Sequence, residues 1–122
     1  MIYTQFPYGT SSVSPRFPRL NVRSIRKIPM NGDVTIRNGH PVQYKTGYQV
    51  CVAVHPFATA EEVSRFLHTE GRKGQYTIRH SQTLWFVDEH RQVPTKKAAL
   101  ALARSYNRLT IYGWAKNEII RC

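Results

Sequence analysis

The chain has 122 residues, 41% of them hydrophobic, a size that suits one domain and excludes a two-domain enzyme with a separate cofactor module. Eighteen Lys and Arg against seven Asp and Glu leave a net charge of +11, which favours acidic partners. No apolar run approaches the ~20 residues that span a bilayer, and Met1-Ile2-Tyr3-Thr4-Gln5 lacks the charged-then-apolar plan of a secretory signal, so a cytoplasmic location without a membrane partner is expected. Cys51 and Cys122 are a poor disulfide framework and cannot complete a four-cysteine zinc site.

Charge and proline divide the chain. Residues 1–47 carry Arg16, Arg19, Arg23, Arg26, Lys27, Arg37 and Lys45 against one acid, Asp33, and hold five of the seven prolines. Each proline fixes φ and removes a backbone donor, so residues 1 to about 20 are expected as an extended arm. Arg16, Arg19, Arg23, Arg26 and Lys27 recur at helical spacing, yet Pro15, Pro18 and Pro29 favour an extended basic segment. Such a segment follows a phosphate backbone or lies along an acidic protein groove. Asn38-Gly39, flanked by β-formers at residues 34–37 and 41–44, predicts a small β-hairpin.

From Tyr48 the pattern becomes regular. Residues 48–54 alternate as a strand closed by His55-Pro56. Thr59 with Glu62 forms a capping-box pattern, and Val63, Phe66 and Leu67 recur at helical spacing until Gly71. Residues 75–80 and 83–88 read as strands joined by Ser81-Gln82, with His90 beyond the second. Pro94-Thr95 opens a run of helix formers over residues 96–106, with Asn107 as a left-handed cap. Residues 109–112 return to strand, Gly113 breaks it, and residues 118–121 form a short terminal strand.

Taken in order, residues 48–112 read β-α-β-β-α-β, which predicts an α+β protein with a ferredoxin-like core at about 48–112, preceded by the basic arm and hairpin of residues 1–47. RNA-recognition-motif domains share this order. Thr83-Leu84-Trp85-Phe86-Val87-Asp88 and Tyr48-Gln49-Val50-Cys51-Val52 match their two signatures poorly, so their binding residues are not transferred. The run from Lys97-Ala98-Ala99-Leu100-Ala101-Leu102-Ala103-Arg104 through Ser105-Tyr106-Asn107-Arg108-Leu109-Thr110-Ile111-Tyr112 resembles the C-terminal part of small accessory proteins encoded by phages and plasmids, with Asn107-Arg108 in place of Asn-Gln. The resemblance bears on genomic context and transfers no activity; in a phage or plasmid setting the expected role is an accessory factor that interferes with host defence or other host machinery.

Helices on one face of such a sheet leave the other face open. Side chains alternate along a strand, so with Leu84, Phe86, Leu109 and Ile111 toward the helices, Trp85, Tyr112 and Arg79 are expected on the open face, where aromatics beside arginine suit stacking on unpaired bases. In the alternative arrangement Trp85 and Tyr112 pack beneath the N-terminal hairpin. Arg72-Lys73 and Lys96-Lys97 add positive ends to the two helices. The expected function is that of a small non-catalytic binding protein for RNA or DNA, or for a nucleoprotein complex, using these cations and the basic arm.

Two alternatives accompany it. The first is an inhibitor or adaptor that binds an acidic protein surface alone. The second is a small metal-independent ribonuclease in which His55 and His80 end parallel strands with one strand between them, about 10 Å apart, and flank a phosphate as general acid and base. Glu61 and Glu62 at the adjacent helix start would repel that phosphate. The sequence holds no His-x₃-His pair, Gly-rich phosphate loop or Gly-x-Ser-x-Gly elbow, so neither metal nor cofactor is expected.

Overall fold

The computed structural model describes residues 19–122 together with the backbone of two paired strands, β1 (Tyr3–Gln5) and β2 (Ser11–Val13). Arg16 and the remainder of the expected arm through residue 18 lie outside the described residues. The further elements are α1 (Val22–Arg26), β3 (Asp33–Arg37), β4 (His40–Pro41), β5 (Tyr48–Phe57), α2 (Ala60–Thr69), β6 (Gln75–Ser81), β7 (Leu84–Val93), α3 (Lys96–Ser105), β8 (Thr110–Gly113) and β9 (Glu118–Arg121). The protein is α+β, and β3 to β9 form a seven-stranded antiparallel sheet in the order β4-β3-β6-β7-β5-β8-β9. This sheet is larger than the four-strand core expected for residues 48–112.

The chain groups into two compact units, one of Arg16–Pro41 and Ala53–Glu89, the other of Met1–Pro15, Val42–Val52 and His90–Cys122. In the first, Ile25 and Ile28 pack with Ile36, Val63, Leu67, Ile78, Trp85 and Val87. Residues expected to lie in an extended basic segment instead form α1. Asn21 caps it by accepting the Ser24 N–H at 2.9 Å, and Ile25 is fully buried. The prolines permit this because Pro18 precedes the cap and Pro29 follows the last turn, so neither interrupts the helical bonds.

The Asn-Gly turn forms as expected. Asn38 (φ 52°) and Gly39 (φ 84°) both take the left-handed region, and Arg37 pairs with His40. A Cβ at Gly39 would come within 2.5 Å of the Arg19 guanidinium carbon, so glycine serves both the turn and that close approach. Thr59 caps α2 as expected: the Glu62 N–H donates to Thr59 Oγ1 at 3.2 Å, and that hydroxyl in turn donates to Glu62 Oε1 at 3.2 Å, in place of the backbone N–H that a full capping box would use. Gly71 N–H then donates to the Phe66 carbonyl at 2.8 Å.

Three strand limits differ from expectation. The β6–β7 hairpin turns at Gln82-Thr83, with Gln82 at φ 50°, rather than at Ser81-Gln82. β7 then runs to Val93, so His90 lies within it. β5 continues through Pro56 to Phe57, and its ladder with β8 covers Tyr48 and Gln49 at the opposite end of the strand.

In the second unit, Val50, Ala99, Ala103 and Ile111 form a separate buried cluster. Thr95 caps α3 by accepting the Ala98 N–H at 3.3 Å, and Asn107 (φ 56°) ends it in the expected left-handed conformation. β8 and β9 pair with Ile111 opposite Ile120 and Tyr112 opposite Ile119. Leu109, expected to face the helices, is 82% exposed because it precedes β8; its carbonyl receives the Cys122 N–H at 2.8 Å.

Candidate nucleic-acid interface

The register of β3, β6 and β7 sorts the site residues onto faces. Asp33, Arg79 and Phe86 lie opposite one another on one face, and Thr35, Thr77 and Asp88 continue that row. Val34, Ile78 and Val87 occupy the other face, with His80 opposite Trp85. Trp85 is therefore not an open-face residue. It is 7% exposed and stacks on His80 with ring centroids 4.0 Å apart. Leu84 and Phe86 take the face that had been expected for Trp85. The alternation itself explains the inversion: cross-strand partners in an antiparallel pair share a face, so Arg79 sits with Phe86 and cannot sit with Trp85.

Arg79 does lie on the expected face, but its charge is engaged. Its Nε and Nη2 donate to the two oxygens of Asp88, the latter at 3.0 Å, and the guanidinium lies 4.8 Å from the centroid of the Phe86 ring. Asp88 is buried, so this bidentate pair satisfies a carboxylate inside the fold. Tyr112 is half-buried. Its hydroxyl donates to Asn117 Oδ1 at 2.9 Å and its ring packs edge-on to Trp114 at 5.0 Å.

The basic residues of the N-terminal third divide between fold and surface. Arg19 Nη1 donates to the Asn38 carbonyl at 2.9 Å, which fastens the chain entering α1 to the hairpin turn. Arg26 pairs with Glu61 at the start of α2, and that hydrogen-bonded guanidinium lowers the Glu61 pKa from its ordinary value of 4.5. Arg23 on α1 and Lys27 at its C-cap are exposed, as are Arg72 and Lys73 between α2 and β6.

The greatest excess of positive charge lies elsewhere. The unit containing α3 holds Lys45, Arg91, Lys96, Lys97, Arg104, Arg108, Lys116 and Arg121 against one acid, Glu118. Lys96, Lys97, Arg104, Lys116 and Arg121 are exposed, and no carboxylate among the described residues lies within salt-bridge distance of them. Lys96 and Lys97 occupy the first turn of α3, where the helix dipole favours anions, whereas α2 places Glu61 and Glu62 there. Sequence reasoning identified these two lysines but gave greater weight to the N-terminal third. Residues 90–122 carry seven Lys and Arg against one acid, the ratio of residues 1–47 in a shorter stretch, and that count was the available signal.

The two histidines have different surroundings. β5 and β6 have β7 between them in the sheet. His80 Nδ1 lies 3.0 Å from the Ile28 carbonyl oxygen while its ring covers Trp85, an arrangement that fastens the α1–β3 connection to β6. His55 Nε2 lies 3.7 Å from Glu89 Oε1, with its ring 5.0 Å from Phe66. Among the described residues no three His, Cys, Asp or Glu side chains cluster as metal ligands, and no helix is long and apolar enough to cross a membrane. Comparison with known proteins finds no matching family model, no matching curated protein and no matching solved structure.

Proposed function

We propose that this is a small basic binding protein that docks on nucleic acid, or on a complex that handles it. The observation that carries this reading is the set of five exposed cations at Lys96, Lys97, Arg104, Lys116 and Arg121, without carboxylate partners among the described residues and in a unit whose sequence has a single acid. Lysines and arginines not neutralised within the fold gain most from phosphates, because each phosphate contact releases condensed counterions. Arg23, Lys27, Arg72 and Lys73 form a second group of exposed cations on the unit containing α1 and α2. The buried Trp85 removes the best stacking platform from the contact set, so phosphates carry recognition and sequence preference is weak.

The scaffold for this surface is a ferredoxin-like core. Supporting that reading, β6, β7, β5 and β8 are neighbours in that order, and α2 and α3 are the intervening helices in the chain order β-α-β-β-α-β. A setting in a phage or plasmid, with the complex belonging to a host, extends the proposal. The experiment is an electrophoretic shift of single- and double-stranded RNA and DNA at two salt concentrations. Retardation of all probes that weakens steeply with salt supports the reading; unretarded probes at low salt overturn it.

A further inference from the structure

In the unit containing α3, a cavity of about 200 Å³ is lined by Gly47, Tyr48, Lys96, Gly113, Lys116 and Glu118, with Ala115 beside them. Lys96 comes from the first turn of α3 and Lys116 from the β8–β9 turn, so two separate elements contribute lysines to the lining of one concavity. Among the described residues neither lysine has a carboxylate within salt-bridge distance, although Glu118 also lines the cavity. Two of the lining residues are glycines, Gly47 and Gly113. A Cβ added at Gly113 would stand 3.4 Å from the Tyr48 ring and 3.5 Å from Glu118 Cγ, so the absent side chain leaves space between two lining residues. Gly47 takes φ 88°, and its carbonyl accepts the Trp114 N–H at 3.1 Å, which fixes that wall to the turn carrying Lys116.

From this convergence we infer that the cavity holds one phosphate group, with Lys96 and Lys116 as its counter-charges, and that this phosphate belongs to a nucleic-acid backbone. The inference rests on the nucleic-acid reading for the source of the phosphate and on the cavity alone for its chemistry. Two lysines and one glutamate leave a net charge of +1, enough to favour an oxyanion and too little to bind inorganic phosphate tightly. Affinity then comes from the other cations acting on the same strand, and the cavity fixes the position of the backbone. Glu118 opposes the phosphate, so its neutralisation should strengthen binding.

The test measures duplex binding of the full chain by fluorescence anisotropy across salt for wild type, Lys96→Gln, Lys116→Gln, the double variant and Glu118→Gln. Both lysines are exposed, so these variants should retain the fold. If the two share one phosphate, the double variant loses about 0.9 from the log-log salt slope, the amount for a single phosphate on duplex DNA. Its affinity loss should also differ from the sum of the two single losses, and Glu118→Gln should bind more tightly. Wild-type affinity and slope in the double variant, or a slope loss of about 1.8 with additive affinities, would overturn the shared site while leaving nucleic-acid binding intact. A second arm titrates inorganic phosphate and follows the Gly47 and Gly113 amide resonances. Shifts in wild type that vanish in the double variant support the cavity even if no oligonucleotide binds, and that combination would transfer the failure to the nucleic-acid reading. Unmoved resonances at both glycines would overturn the cavity.

Discussion

Trp85 carries the largest structural consequence of any single site residue. Its ring lies against His80 within the cluster of Ile25, Val63 and Leu67, so Trp85→Ala leaves a cavity and should cost about 3–5 kcal/mol of unfolding free energy. Denaturant unfolding checks this; a loss under about 1 kcal/mol would return the ring to the surface. Arg79→Ala removes the partner of buried Asp88 and should cost about 1–3 kcal/mol, while Arg79→Ala combined with Asp88→Ala should recover part of that loss. Unequal unfolding midpoints of the single and double variants are the readout. Both roles were partly legible in the sequence. Ile78 shares a face with Val87 in the observed hairpin, and the expected Ser81-Gln82 turn would pair it with Trp85, so either register puts the Trp on the apolar side and Arg79 on the other. What the sequence could not supply is that Asp88 lies opposite Thr77 and within reach of Arg79, because that requires the register itself.

Among the elements, α1 departs furthest from expectation. Prolines at 15, 18 and 29 suggested extension, but ten residues separate Pro18 from Pro29, and the Asn21 cap and the burial of Ile25 hold five of them, Val22–Arg26, as a helix. A deletion through residue 27 would therefore remove Leu20 and Ile25 from the core and report on folding rather than on phosphate contact. Asn21→Ala should cost about 0.5–2 kcal/mol, measured by thermal unfolding, with Asn21→Asp or Asn21→Ser close to wild type. Arg26 and Glu61 tie α1 to α2, and this adds a pH dependence of defined sign. Glu61 has a folded-state pKa below 4.5, so its contribution is present above that value and is lost as pH falls through the lowered one. Acid unfolding of Glu61→Gln should lack that part of the decline; an unchanged acid limb would show that the exposed pair contributes nothing. The hairpin turn, the Thr59 N-cap of α2 and the Asn107 cap were legible because each depends on residues close in sequence. The additional strands joined to the sheet were less so, since β3 pairs with β6 across about forty residues and only tertiary packing sets that register.

For the molecule as a whole, the +11 charge was evident from composition, whereas its distribution required the structure. Arg19, Arg26 and Arg79 are engaged within the fold, while the unit of α3 presents cations with a single acid among them. A charge-reduced variant with Lys96, Lys97, Arg104, Lys116 and Arg121 changed to Gln should unfold at nearly the wild-type midpoint, because these side chains are exposed and have no ion-pair partner among the described residues. The central claim is that these cations bind phosphates, and the most direct measurement compares this variant with wild type in duplex-DNA affinity as a function of salt. The account predicts a wild-type log-log slope of several units and a variant slope smaller by about 3–4, since each phosphate contact contributes about 0.9 and at least one is shared. A wild-type affinity indifferent to salt, or equal slopes in the two proteins, would contradict it.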